Sequence, residues 1–589
     1  MIFIWRGVMK NWYRIISLSV LLTSGALQAD ACEKLAKIDA KSTLSVGEKI
    51  KREFFKAGCN IEGVGKKIYG QLQTNVDDLA KYFDQRRDLL VKLSQDTMKE
   101  STAQIRKELR DRLDTVKQAP ARGKKIYVRE SADPLSDQEK AFRAKRDPFV
   151  NAAQKKLGIK EPLSIAISGS GGGMRAMLAY LSHMLVLQEA GLLDSATYAS
   201  ALSGATWMLS SWLQQGHTLQ QCRDFILDRV TSPDGKKDIL MQPNEHTVPD
   251  IFDALVTKWA YGIPADPVDI YGGILGSYFM PQSHTQRNYL SGQRAQLATG
   301  MNPMPIYTAE WYRGKNMTKE IVEYNPYEVG IRKLGFIDSD GYGRHYKNGV
   351  SVDNAPPLSM GHGQGVWGSA FAAHAKFFWD HVFKSKVPLA LKGVAEHIEH
   401  MLEMTKAGEL QASKGAEVPN FTKGMSSSEV KNSDTLFFID AGIDWMMNPV
   451  FSLYRDEGGT KAPNVVFVFD YSAGSLGEQE LRKLVQYSQE RQLKFPTIDF
   501  TDEQLMQQVQ EKSMTIFQDK NDLDVPVVIY LPLVGVDMGH YHTFKFNYSR
   551  KEAKDLMSKA KNNLQENLPE IMQVIQQRSE AQAAARAAA

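Results

Sequence analysis

The sequence predicts an α/β chain: a three-layer α/β/α body around a central, mostly parallel sheet, with an irregular cap insertion and an N-terminal helical region. Three observations predict it. From Leu163 onward, short apolar runs alternate with stretches of helical period. A glycine-rich turn, Gly169-Ser-Gly-Gly-Gly173, follows the first of those runs directly. The later runs Leu436–Ile439 and Val465–Phe469 are apolar throughout, as in strands buried on both faces.

The elements follow in order. Residues 30–118 read as helical, because Ile68, Leu72, Val76, Leu79 and Phe83, and later Ile105, Leu109, Leu113 and Val116, recur at three- and four-residue steps between mixed charges. Ala119-Pro-Ala-Arg-Gly123 ends that region, and 119–134 is a basic linker. Ser136 caps a helix with Glu139 three residues on. Leu163–Ser168 is a strand and Ala176–Ala190 a helix; Tyr198–Leu202 and Gly204–Leu213 repeat the pair. The cap spans about 214–435, rich in Trp, Tyr, Gly and Pro around 258–280 and 301–345. Within it, Trp259–Pro264 and Ile270–Leu275 are candidates for an apolar rim, and the polar Thr405–Ser433 for a mobile lid. Val527–Leu531, just after Pro526, is a further strand. The main body runs over 135–550, and 551–589 form a helical tail.

Composition bounds the class. A chain of 589 residues that is 43% hydrophobic and 24% charged builds a large core, which excludes a disordered or fibrous protein. The net charge is only +4, but residues 30–160 hold 30 Lys and Arg against 20 Asp and Glu, an excess of 10. That excess suits either an anionic membrane surface or a solvated helix face. Nothing in the sequence points to nucleic acid. Lys10 and Arg14, the apolar run Ile15–Leu27 and the small residues Ala26, Ala29 and Ala31 predict an export signal over 1–29. The protein is therefore expected in the periplasm or outside the cell, peripheral at membranes. Cys32 could pair with Cys59, leaving Cys222 as a buried thiol. The histidines, including His397/His400 and His540/His542, lack companion ligands, so neither a metal nor a cofactor is expected.

The chemistry lies in two turns. Gly171, Gly172 and Gly173 leave backbone N–H groups accessible to an oxyanion or phosphate oxygen, and Arg175 adds a fixed cation. Ser203 stands between a small-residue run and an apolar helical run, at a helix N-terminus. A nucleophile, an oxyanion hole and an anion clamp within about 40 residues point to acyl transfer. A nucleotide phosphate site is disfavoured, because no lysine–hydroxyl pair follows the glycines.

Several blocks carry a family resemblance. Gly-Ser-Gly-Gly-Gly-Met-Arg-Ala-Met (169–177), Ala-Leu-Ser-Gly-Ala-Thr-Trp (201–207), Asp137–Arg143, Met304–Thr308, Asn325–Gly330, Val366–Phe371, Ile439–Gly442 and Thr543–Asn547 occur in order. Together they resemble the catalytic domain of cytosolic phospholipase A2 and fungal phospholipase B. The resemblance implies a Ser203–Asp440 dyad acting through an acyl-enzyme, with Gly172 and Gly173 donating to the oxyanion and Arg175 holding the substrate phosphate. It implies a phospholipid or lysophospholipid substrate at a membrane surface. Calcium is not expected to be required, since no acidic-loop β module precedes the body as in the animal enzymes. Ala201 and Ala205 depart from the family's usual Gly and Ser. Asp444 and Asp470 are rivals for the base. Two other readings stay open: an esterase with a triad of Ser203, Asp440 and His540 or His542, and a non-catalytic lipid-surface-binding protein.

Overall fold

The computed structural model describes residues 124–588, apart from 131–132, 241, 243, 245, 281–287, 314–315, 371–414, 444–447 and 473–475. The predicted export signal, the helical region 30–118, the Cys32/Cys59 pair, Asp444 and residues 405–414 of the predicted lid lie outside the described residues.

An eleven-stranded sheet divides the body. Its strands are β1 (Ile165–Gly169), β2 (Ala196–Leu202), β3 (Met304–Arg313), β4 (Asn316–Tyr324), β5 (Glu328–Ile331), β6 (Gly335–Asp338), β7 (Ala416–Pro419), β8 (Thr435–Ile439), β9 (Val465–Asp470), β10 (Thr515–Phe517) and β11 (Val527–Pro532). The order is β10-β11-β9-β1-β2-β3-β4-β5-β6, with β8 pairing to β3 and β7 to β8. The centre β11-β9-β1-β2-β3 is parallel, and the wings are antiparallel. Every residue of β1, β2 and β9 is buried, which is why these segments read as runs of mostly apolar and small residues.

Alternate residues of the central strands feed two cores. Ile165, Ile167, Ala199, Phe467 and Ile529 face one side, with helices α2 (Gly173–Glu189), α3 (Gly204–Gln215) and, late in the chain, Arg550–Gln565. Ala166, Tyr198, Val466, Val468 and Val528 face the other, with α1 (Asp137–Lys156) and the helix Leu476–Glu490. That is the expected three-layer arrangement. Helix α2 is buried without a break from Gly173 to Met184, because the sheet covers one side and Arg550–Gln565 the other. Ser182 donates to the Met557 carbonyl at 2.6 Å across that contact. His183 bridges it too, bonded to the Ala560 carbonyl at 2.9 Å, and burial drops its pKa to about 3.

Ser136 caps α1 by accepting the Glu139 N–H at 3.1 Å. The Glu139 carboxylate turns inward, accepting from Tyr198 at 2.8 Å and from Arg455 at 2.9 Å.

Three expectations for 214–435 are corrected. Met304–Asp338 is not cap: β3 to β6 extend the central sheet. Their mixed aromatic and charged composition conceals them, since Glu310 and Glu323 are buried in this layer and Glu323 is neutralised by Arg332 at 2.7 Å and by Arg455. After α4 (Leu219–Val230) and α5 (Thr247–Ala260), Ile270–Leu275 is no apolar rim but the middle of the fully buried helix α6 (Pro267–Phe279), and Ile263 is buried as well. Trp259's side chain lies outside the described residues. The described part of the expected lid, 415–433, is built into the sheet through β7. Its polar residues bond each other: Asn420 donates to the carbonyls of Val430 and Ser433 at 2.8 and 2.9 Å, and Thr422 bonds Ser428 at 2.8 Å.

Candidate active site

Strand register brings Ser203 and Asp440 together. Strand β3 is ten residues long, and one of its edges is shared by two partners. Its first half pairs with parallel β2, ending at Leu202 opposite Thr308. Its second half pairs with antiparallel β8, ending at Ile439 opposite Glu310. Both strands stop facing the same break, at the level of Ala309, so the residues that follow them, Ser203 and Asp440, meet there. Two residues of strand span only about 7 Å. The Ser203 hydroxyl lies near enough to the Asp440 carboxylate to pull its pKa down.

Ser203 is a non-glycine residue with left-handed backbone, φ 51° and ψ −126°. Such a conformation costs on the order of 1–3 kcal/mol and persists only where surroundings enforce it. Here α3 starts at once with Gly204, which lies against the Gly173 backbone. The Thr206 N–H and hydroxyl both donate to the Ser203 carbonyl, at 2.9 and 2.5 Å. Ala201 and Ala205 are fully buried on either side of the elbow. The α3 dipole favours negative charge at the serine.

The Asp440 carboxyl is 1% exposed as a residue and is pushed up to about 7 by burial, against the lowering pull of Ser203 and of the Gly442 and Ala370 N–H groups. The Gly442 N–H reaches it at 2.9 Å. Asp440's own N–H donates to the Ser369 hydroxyl at 2.9 Å. Tyr271 of α6 is buried within electrostatic reach of the carboxylate; burial first and that charge second hold its phenol above the ordinary range. Sequence reasoning missed Ser369 and Tyr271. Ser369 stood inside the Val366–Phe371 block without a role, and Tyr271 inside the supposed rim.

The glycine turn lies beside the elbow. Gly172 (φ 142°) precedes α2, and Gly173 (φ 64°) begins it. A Cβ on Gly172 would lie 2.8 Å from the Tyr471 carbonyl oxygen, so both conformation and space require glycine.

The rivals are placed elsewhere. Asp470 is held by the Ser472 N–H at 2.8 Å and the Tyr530 hydroxyl at 2.5 Å, with Ser170 at 3.4 Å, as a structural end to β9. His540 is exposed and ion-paired to Glu552 at 2.8 Å, and His542 is exposed on the same segment. The chain order fits a triad, but the ring of His540 is held against Glu552 of an outer helix.

Arg175 also departs from expectation. It is fully buried, and its guanidinium is spent on the protein. Nε and Nη2 donate to the Tyr471 carbonyl at 2.9 and 2.7 Å, Nη1 to the Tyr541 carbonyl at 2.6 Å, and Nη2 to Thr543 Oγ1 at 3.4 Å. Burial lowers its pKa to about 10, so it stays charged at neutral pH. In this arrangement it is a strut fastening the glycine turn to the end of β9 and to the Tyr541 segment. Arg175→Ala is expected to lower Tm and to reduce kcat/KM by the same factor on a phospholipid and on a neutral ester. A loss confined to phospholipids, at unchanged Tm, would restore a phosphate-holding role. Leaving a buried carbonyl without its donor generally costs about 1–3 kcal/mol.

Among the described residues, no group of three or more His, Cys, Asp or Glu side chains is placed to hold a metal ion.

Comparison with known proteins identifies the family and the fold. Cytosolic phospholipase A2 delta of Mus musculus is 27% identical over 457 residues, covering 68% of this chain and 54% of the relative. The Homo sapiens protein of the same name is 25% identical over 463 residues, covering 68% and 55%. The chain thus spans about half the length of these curated relatives. The solved structure of human GIVD cytosolic phospholipase A2 superposes with a TM-score of 0.62 at 20% identity, covering 77% of this chain and 68% of that one, which establishes a shared fold. The same human protein is also known in complex with methyl gamma-linolenyl fluorophosphonate, at a TM-score of 0.59, 22% identity, and 77% and 66% coverage. Residues 165–577 match the lysophospholipase catalytic domain, and over so much of its length the chain belongs to that family.

Proposed function

We propose that the chain hydrolyses carboxylic ester bonds of glycerophospholipids or lysophospholipids at a membrane surface, through a Ser203–Asp440 dyad. The carrying observation is the convergence, at the ends of two strands that share one edge of β3, of a serine with strained backbone and a buried carboxylate whose pKa burial pushes up to about 7. A carboxylate near its ordinary value is too weak a base to take a serine proton at neutral pH; one raised this far is matched to the task.

Ser203 Oγ attacks the acyl carbonyl while its proton passes to Asp440. The oxyanion is held by the N–H groups of Gly172 and Gly173, whose turn adjoins the elbow. The tetrahedral species collapses, and the leaving glyceryl oxygen takes the proton from Asp440. Water then attacks the acyl-serine, giving Asp440 one proton. That proton returns to Ser203 as the fatty acid departs. No step calls on calcium.

Product analysis on liposomes of positionally labelled phosphatidylcholine and on lysophosphatidylcholine tests this. Wild type is expected to release fatty acid equally with and without chelator, and Ser203→Ala to release none. Fatty acid release by Ser203→Ala would remove the dyad. A cellular effect that survives that substitution would instead favour the lipid-surface-binding reading.

A further inference from the structure

Helix α7 (Met360–Trp367) joins the nucleophile's helix to the base. Toward α6 it is packed backbone on backbone: a Cβ on Gly365 would lie 2.7 Å from the Val268 carbonyl oxygen, and one on Gly361 2.9 Å from that of Gly272. His362 Nδ1 is bonded to Asp269 of α6 at 3.0 Å. Toward α3, the Trp207 indole N–H donates to the Gln364 carbonyl at 3.3 Å, and Gln364 Nε2 donates to Ser210 Oγ at 2.9 Å. Gly368, just past the helix, has a Trp207 ring carbon 2.6 Å from where its Cβ would be. So α7 cannot slide against either neighbour, and the residues that leave it are aimed by that packing. The first two after Gly368 both meet the catalytic carboxylate's residue: Ser369 Oγ accepts the Asp440 N–H at 2.9 Å, and the Ala370 N–H donates to the Asp440 carboxylate.

We propose that Ser369 is a positioning residue for the reaction. With the Ala370 N–H it forms a bracket that sets the Asp440 carboxylate against Ser203, using α7 as a rigid spacer from the nucleophile's own helix. This rests on the dyad reading above. The bracket fixes both ends of one residue. The hydroxyl anchors the Asp440 backbone as it leaves β8, and the Ala370 amide anchors the carboxylate. The Ser369 side chain is fully buried and is not presented to a substrate from solvent. Its influence would therefore fall on turnover rather than on binding.

The test is steady-state kinetics and thermal melting of the full chain on lysophosphatidylcholine. Ser369→Ala is expected to lower kcat by roughly tenfold to a hundredfold, with KM within about twofold of wild type, since small misplacement of a reacting group costs on this order. Ser369→Thr keeps an oxygen at the same place and is expected to retain most of kcat. If Ser369→Ala does not fold, Ser369→Cys replaces it, keeping bulk while offering only a weak acceptor, with the same loss expected. Unchanged kcat in folded Ser369→Ala or Ser369→Cys overturns the inference. So does Ser369→Thr losing as much as Ser369→Ala, which would mean that volume, not the oxygen, matters. Asp440→Ala and Ser203→Ala serve as references. If either of these turns over substrate, the dyad itself is wrong; if both are inactive while Ser369→Ala is normal, only the bracket fails.

Discussion

Asp440→Asn is expected to cut kcat/KM by roughly 100- to 10,000-fold, the contribution of a positioned general base, while making the protein more stable at pH 8. The two effects have one cause. Burial raises the folded-state pKa from 3.8 to about 7, so above neutrality the fold carries a carboxylate it would rather hold protonated. That difference is worth on the order of 4 kcal/mol against the folded state. Asparagine removes the charge but also one acceptor oxygen, so part of the gain is returned at the Ser203, Gly442 and Ala370 donors. The sign over pH is fixed. A raised carboxyl pKa gives stability that is fully present below about 3.8 and lost as pH rises through about 7. The advantage of Asp440→Asn should therefore be largest at pH 8 and shrink as pH falls from about 7 toward 4. In wild type, kcat/KM should rise with pH about a midpoint near 7 as the base ionises. Melting curves and rate profiles of both proteins over pH 5–9 check this. A variant that keeps turnover, or that is destabilised equally at every pH, would falsify the base assignment.

The site was legible where the chemistry demands a backbone that few residues tolerate. Positive φ at Gly172, Gly173 and Ser203 leaves a mark in the letters, as glycine or as a small-residue run around one serine. The central strands were legible because burial on both faces leaves mostly apolar and small side chains. What the letters did not carry was partnership. Arg175 reads identically whether its guanidinium faces a phosphate or three protein oxygens, and only the fold decides. Ile270–Leu275 is equally apolar as a rim or as a core helix. Strands β3 to β6 were hidden because Glu310 and Glu323 break the pattern, and the Arg332 and Arg455 guanidinia that neutralise Glu323 come from other parts of the chain. The meeting of Ser203 and Asp440 depends on two strands ending against one edge of β3, a register no local pattern encodes. The order of the family blocks anticipated that pair; the strand register explains it.

The second large effect is expected from a single methyl group. Gly204 needs no positive φ, so Gly204→Ala is permitted by backbone conformation; what forbids it is space. Its Cβ would lie 2.6 Å from the Gly173 carbonyl carbon and 2.9 Å from Gly173 Cα, and closer still to the carbonyl oxygen. All three are backbone atoms at the start of α2, which no rotamer change can move aside. The elbow and the glycine turn must therefore separate by about 1 Å, and the buried first turns of α2 and α3 behind them resist it. Separation draws the Gly172 and Gly173 amides away from the oxyanion that forms on Ser203. Loss of one such donor costs on the order of 100- to 1,000-fold in kcat, and overpacking adds roughly 1–3 kcal/mol of instability. Gly535→Ala is the control. Gly535 has φ 74° with nothing within 4 Å of its would-be Cβ, so that variant should lose stability through backbone strain and keep its kcat. A fluorophosphonate that labels Ser203 should react much more slowly with Gly204→Ala, and at the wild-type rate with Gly535→Ala. Normal labelling and turnover in folded Gly204→Ala would mean that the two turns do not work as one site.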